Sequence, residues 1–97
     1  MLAVIATLHC TPENQEHLVS ALKTLQFHSR QETGCERYEL AQREMEDNIE
    51  IVVTELWESE ADLDAHFAAD HFVRFGSQAE GIVLQSEIKK YQVVQDS

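Results

Sequence analysis

Hydrophobic and polar residues alternate with a period of two in four segments of the chain: residues 2–10, 35–43, 49–57 and 82–94. Alternation that is rich in β-branched and aromatic residues predicts β-strands. The first segment carries apolar residues on both faces, which indicates an interior strand. In the last segment the alternation slips between Ile88 and Tyr91, and this slip predicts a β-bulge or a change of pairing partner there.

A helix is predicted between the first two strands. Thr11 is a favoured N-cap residue, and Pro12 is favoured at the first helical position. Gly34 supplies the left-handed stop, so the helix should end at about residue 31 or 32. One apolar stripe at helical spacing follows the start: Leu18, Ala21, Leu22 and Leu25.

A second helix is predicted after the third strand. It begins with Ser59 as N-cap and carries Leu63, His66 and Phe67 on one face, at the i, i+3, i+4 spacing. Asp70 should interrupt this helix, and residues 71–76 should form a further short helical turn.

The element order is therefore β-α-β-β-α-β, the ferredoxin-like α+β pattern, in one domain over residues 1–97. Right-handed crossovers give a four-stranded antiparallel sheet with both helices on one face. The other face is too apolar for exposure to water. Burial against a second copy is the simplest remedy, so we expect a homodimer.

The chain has 18 acidic and 7 basic residues, a formal net charge of −11. A surface with this much negative charge repels nucleic-acid phosphates and anionic lipid headgroups. We therefore expect neither nucleic acid nor a membrane as a partner. The start of the chain lacks the features of a signal peptide, which favours the cytoplasm. Cys10 and Cys35 fall at opposite ends of the predicted sheet, about 25 Å apart, so no intrachain disulfide is expected.

Three motifs resemble the antibiotic biosynthesis monooxygenase (ABM) family, in particular its small bacterial quinol monooxygenases: Gly34–Tyr38, Glu55–Ser59 and Ala65–Phe72. The resemblance implies a dimeric α+β barrel with a pocket in each subunit. It also implies oxidation of an electron-rich aromatic by O2, with no flavin or metal. The haem-degrading branch keeps an asparagine where this chain has Thr7, which argues against haem.

The candidate catalytic residues lie at the junction of the third strand and second helix. His66 or His71 is the candidate base. Glu55 shares a strand face with Trp57, and a carboxylate on a covered face must be paired or functional. It either orients His66 or forms a structural pair with a histidine or Arg74. The five-residue spacing of His66 and His71 differs from the i, i+4 of a helical metal pair, so no metal site is expected.

The candidate substrate-binding residues are mainly aromatic: Trp57, Thr7, His9, Tyr38, Phe67, Phe72 and Phe75. Each also has a structural interpretation. Trp57 and the phenylalanines suit a core as well as a pocket wall. Tyr38 suits a dimer contact, and His9 suits a solvated strand end.

The leading functional hypothesis is a monooxygenase that needs no cofactor and oxidises a small quinol or phenol with O2. One alternative is an isomerase of a small carbonyl signalling metabolite on the same scaffold, which needs a base but no oxygen. The other is a dimeric small-molecule binder without turnover.

Overall fold

The computed structural model describes residues 1–95. In chain order its elements are β1 (Leu2–Cys10), α1 (Gln15–Ser29), β2 (Cys35–Glu44), β3 (Ile49–Trp57), α2 (Glu60–Ala68), α3 (Asp70–Ala79) and β4 (Gln85–Gln92). A single 3-10 turn, Pro12–Asn14, precedes α1. The predicted ferredoxin-like order is confirmed, with the second helix divided into α2 and α3.

The four strands form one antiparallel sheet in the order β2-β3-β1-β4. Glu55 of β3 lies between Val4 of β1 and Tyr38 of β2, so these three side chains share the face that the helices cover. The core lies between this face and the helices, and its largest fully buried side chains include Trp57 and Leu18. The predicted placement of the helices on one face is confirmed.

The division between α2 and α3 falls at Ala69, whose backbone is extended (φ −70°, ψ 147°). Ser59 caps α2 as predicted, because its hydroxyl accepts a hydrogen bond from the Asp62 backbone N–H at 3.2 Å. After the break, α3 runs for ten residues from Asp70. It is therefore longer than the short turn that the sequence predicts.

The ends of α1 follow the predicted signals only in part. Thr11 occupies the N-cap position of the 3-10 turn, but its hydroxyl is buried without a hydrogen-bond partner among residues 1–95. The α-helix ends at Ser29, earlier than predicted, because 3-10-type hydrogen bonds take over there, such as Glu32 N–H to the Ser29 carbonyl. Gly34 has the predicted left-handed backbone, with φ +84°.

Two predictions for the last strand are wrong. Its pairing with β1 is continuous from Leu2–Gln92 to His9–Gln85, so the bulge expected near Ile88 is absent. A register shift occurs instead in β2, between Cys35 and Arg37. The strand also begins later than residue 82, because the N–H groups of residues 82 and 83 bond back to the Ala79 carbonyl at the end of α3.

The two cysteines pair with opposite ends of β3, Cys10 with Ile49 and Cys35 with Trp57. Both are free thiols, as predicted.

The outer face of the sheet, away from the helices, carries apolar side chains. Ile5 of β1 is 38% exposed and Tyr91 of β4 is 47% exposed, while Val52 and Leu56 of the neighbouring β3 are half-buried. Every residue of the edge strand β4 is exposed in the protomer.

Candidate active site

A cavity of about 440 Å³ lies between the sheet and α3. Four rings form much of its wall: Tyr38, Phe67, Phe72 and Phe75. Aliphatic side chains such as Leu22 and Val53 fill the spaces between them. A cavity of this size with an aromatic wall suits a small aromatic ligand.

Glu55 is the buried acid in this wall. It is 7% exposed, whereas Glu80 and Glu87, the other acids of the wall, are exposed. The pKa of the Glu55 carboxyl is raised to about 7, mainly because the group is buried; the hydrogen bond from Trp57 opposes the increase, and the negative charge of Glu32 adds to it. The cavity therefore contains a carboxyl group that exchanges a proton near neutral pH.

Trp57 holds the Glu55 carboxyl in place. Its indole Nε1–H donates to Oε1 of Glu55 at 2.9 Å, and this is the one hydrogen bond that the Glu55 side chain makes among residues 1–95. Because the two residues are two positions apart on β3, their side chains project from the same face. The bond fixes the direction of the carboxyl and leaves Oε2 for a ligand.

His66 lies behind the aromatic wall and not in it. It is 1% exposed, and its ring centroid lies 4.8 Å from that of Trp57. Tyr38, Phe67 and Phe72 each lie within 5.6 Å of the His66 ring and also line the cavity. These three rings form a partition between His66 and the cavity.

Glu32 holds both histidines of the junction. Its Oε2 lies 2.7 Å from Nδ1 of His66, and its Oε1 lies 3.0 Å from Nε2 of His71. Burial lowers the pKa of His66, although the hydrogen bond to Glu32 acts in the opposite direction. Neutral His66 therefore donates from Nδ1 to the Glu32 carboxylate, and Nε2 has no hydrogen-bond partner among the described residues.

The sequence spacing of His66 and His71 does not show how close the two imidazoles lie in the fold. A continuous helix would turn His66 and His71 apart, but the extended Ala69 between them brings both to Glu32. The ligand atoms of these three residues all lie within 4.8 Å of one another. Glu32 was missed because it lies 34 residues before His66, in the turn after α1.

Of the candidate residues, Glu55, Thr7, Tyr38, Phe67, Phe72 and Phe75 lie in the cavity wall. Trp57, His66, His71 and His9 are outside it. The expected pairing of Glu55 with His66 or Arg74 is wrong, because Trp57 is its partner.

His9 is instead held at the far end of β1. Its Nδ1 lies 2.9 Å from the Asn48 side-chain oxygen, and its Nε2 lies 3.5 Å from a Glu50 carboxylate oxygen. These contacts join β1 to the loop before β3 and serve a structural role.

The two thiols and the Tyr38 phenol hold their protons at neutral pH. Burial, with the charges of Glu32 and Glu55, raises the pKa of Cys35 to about 11, and burial raises that of Cys10. Burial also raises the pKa of Tyr38 well above its usual value. Neither thiol is activated as a nucleophile. The wall contains no histidine, cysteine or methionine, so it lacks these common haem ligands.

The family model described as "Antibiotic biosynthesis monooxygenase" matches residues 1–78. Two curated relatives are similar. The "Uncharacterized protein sll1783" of Synechocystis is 28% identical over 97% of this chain, which spans 64% of that protein. The "Putative monooxygenase YcnE" of Bacillus subtilis is 33% identical over 77% of this chain and 78% of its own length.

Solved structures share the fold. The crystal structure of PA3566 from Pseudomonas aeruginosa superposes with a TM-score of 0.86 at 30% identity, over 97% of this chain and 94% of that one. No helix among residues 1–95 combines the length and apolar character required to cross a membrane.

Proposed function

Because the chain belongs to the antibiotic biosynthesis monooxygenase family, we propose that it oxidises a small quinol or related phenol with O2 in the cavity beside Glu55. The reaction uses neither flavin nor metal. The observation that carries this proposal is the Glu55 carboxyl, with a pKa of about 7, in the wall of an aromatic cavity. That combination suits removal of a proton from a flat phenolic ring.

Glu55 is the proton acceptor in this mechanism. A free phenol has a pKa of about 10, as for tyrosine, and a carboxyl of pKa about 7 lies about 3 units below it. This difference in pKa makes the free energy of proton transfer about 4 kcal/mol, whereas transfer to an unperturbed carboxyl would cost more than about 7 kcal/mol. Burial of Glu55 therefore makes the transfer much easier, and the Trp57 N–H keeps the carboxylate aligned.

The phenolate then reduces O2. It transfers one electron to O2, and the two radicals combine at a ring carbon. Loss of water from the resulting peroxide leaves the oxidised ring. For a hydroquinone the balance is hydroquinone plus O2 to hydroxyquinone plus water, with all four electrons supplied by the substrate. The apolar wall excludes water, which would otherwise compete for the phenolate.

The other candidate residues have distinct roles in this proposal. Phe67, Phe72 and Phe75 contact the faces and edges of the substrate ring, and Tyr38 offers a hydroxyl group. The Thr7 side chain projects from the opposite face of the sheet, since Thr7 pairs with Val52, so Thr7 borders the cavity only through its backbone. Trp57 positions Glu55. We assign His66 and His71 a positioning role and not a catalytic one. The aromatic partition separates His66 from the cavity, and Glu32 is hydrogen-bonded to both imidazoles.

Oxygen uptake with a panel of hydroquinones, in chelated and flavin-free buffer, tests the proposal. Uptake should exceed autoxidation and fall by about 100-fold or more in Glu55→Gln. The matched control is Glu39→Gln, the same substitution at an exposed site on β2. No uptake above autoxidation, or full uptake by Glu55→Gln, contradicts the mechanism. Turnover under strict anaerobiosis identifies an isomerase, and ligand binding without turnover identifies a binder.

We also propose that the protein is a homodimer joined through the outer face of its sheet. The apolar side chains there, including the half-buried Val52 and Leu56, support it. Tyr91 on the same face is 47% exposed in the protomer. Light scattering at micromolar concentration should give twice the chain mass of 11.1 kDa, and a monomeric mass overturns the proposal.

A further inference from the structure

One carboxylate and two imidazoles converge beside the α2–α3 break. Glu32 comes from the turn after α1, His66 from α2 and His71 from α3. The contacts are 2.7 Å from Glu32 to Nδ1 of His66 and 3.0 Å to Nε2 of His71. In the oxidation proposed for the cavity, this cluster neither contacts the substrate nor takes its proton, and none of its residues lies in the cavity wall.

We propose that Glu32, His66 and His71 bind a divalent first-row transition-metal ion such as Zn²⁺. Two neutral imidazoles with one carboxylate are a ligand set that such ions take in proteins. Ligand atoms about 2.1 Å from a tetrahedral ion lie about 3.4 Å apart. The observed contacts of 2.7 and 3.0 Å therefore need to open by less than about 1 Å.

The exposure of the cluster suits an ion with one open coordination position. The Glu32 side chain is 17% exposed and that of His71 is 20% exposed, so an ion reaches the cluster from solvent. His66 is 1% exposed and forms the rigid inner ligand. Water from the exposed side completes the coordination. The strong negative charge of the chain, −11, also favours cations.

The protonation of His66 is compatible with metal binding. An ion on Nδ1 requires the imidazole proton to move to Nε2. Nε2 is without a hydrogen-bond partner among the described residues, so the change of tautomer breaks no hydrogen bond at that atom. Aromatic rings pack around the imidazole, with ring centroids 4.8 Å away for Trp57 and 5.1 Å away for Phe72, and an N–H close to aromatic rings is weakly favourable.

Metal binding at this cluster joins three segments and should stabilise the fold. In tag-free protein, titration calorimetry should show one Zn²⁺ per chain. Zn²⁺ at 100 times its Kd should raise Tm by about 10 °C. Co²⁺ should give the visible absorption of a low-symmetry site of four or five ligands.

Glu32→Gln and His71→Ala should each weaken Zn²⁺ affinity by about 100-fold, since each removes a ligand. Both residues are partly exposed, so both variants should fold, which circular dichroism checks. His17→Ala, which removes an exposed imidazole from α1, is the matched control and should bind like the wild type. Wild-type binding no tighter than that of both ligand variants, or a Tm that Zn²⁺ leaves unchanged, overturns the proposal. Because these readouts involve no quinol, they are independent of the proposed oxidation.

Discussion

Glu55 and Trp57 lie two residues apart on the same face of β3, yet their surroundings differ. Trp57 is fully buried against His66, and we call this pair the sealed cluster. Glu55 is 7% exposed and borders a cavity of about 440 Å³. The aromatic partition of Tyr38, Phe67 and Phe72 lies between His66 and the cavity, and the hydrogen bond from Trp57 to Glu55 joins the two regions.

The comparison shows how one aromatic layer serves two purposes. On one side it packs against Trp57 and His66 and contributes to stability. On the other it leaves an apolar space in which a carboxyl cannot be hydrated, so the pKa of Glu55 rises. A substitution in the sealed cluster should therefore mainly alter stability, and one beside the cavity should mainly alter proton affinity.

Trp57→Ala should have the largest effect on stability. It leaves a large void in the sealed cluster, and it should lower the free energy of unfolding by about 3–5 kcal/mol. Urea denaturation at pH 7 measures this loss. Phe27→Ala, at a ring that is 65% exposed, is the control and should change stability by less than about 0.5 kcal/mol. Similar losses in both variants would erase the distinction between the two regions.

Glu55→Gln should change how stability depends on pH. The folded pKa of Glu55 is about 7 and the ordinary pKa of a glutamate is 4.5, so between these values the folded state binds a proton that the unfolded state has lost. The contribution of Glu55 to the free energy of unfolding of the wild type therefore decreases as pH rises from about 4.5 to 7, by about 3 kcal/mol in total.

Glutamine carries no titrating proton, so the stability of Glu55→Gln relative to the wild type should rise by about 3 kcal/mol between pH 4 and pH 8. Urea denaturation across this range provides the test, with Glu39→Gln as the control. A difference that stays constant with pH would show that Glu55 has an ordinary pKa.

Two glycines, one in the turn before β2 and one in α3, should respond in opposite directions. Gly34 has a left-handed backbone, and an added Cβ would collide with the Asp62 carboxylate of α2, so Gly34→Ala should destabilise the fold by about 1–2 kcal/mol. Gly76 lies in α3 at the cavity, and a Cβ there meets no atom within 4 Å. Gly76→Ala should stabilise the fold by about 0.5–1 kcal/mol. Thermal denaturation compares them, and a shared sign contradicts the packing described.

Local signals in the sequence predict most of the fold. The bounds of β1 and β3, the Ser59 cap and the turn at Gly34 all depend on residues close together in the chain. The start of β4 was mispredicted because its pattern of apolar residues does not reveal that residues 82 and 83 bond back to α3.

The site is less predictable, since it depends on residues that are distant in sequence. The sequence pattern places Glu55 and Trp57 on the same inward face of a strand. Only the position of α3 determines that Glu55, and not Trp57, borders the cavity. The contact of Glu32 with His66 and His71 needs the extended Ala69, which alters the usual helical spacing. Sequence reasoning therefore placed Glu55 in the site but gave it the wrong partner.

The most direct test of the central claim is a titration of the Glu55 carboxyl by ¹³C NMR, with its resonance identified by its absence in Glu55→Gln. The mechanism predicts a midpoint near pH 7, since the carboxyl is buried beside the cavity. A bound unreactive phenol should shift this midpoint, because it contacts the carboxyl. A midpoint near 4.5, the ordinary value for a glutamate, would contradict the assignment of Glu55 as the base.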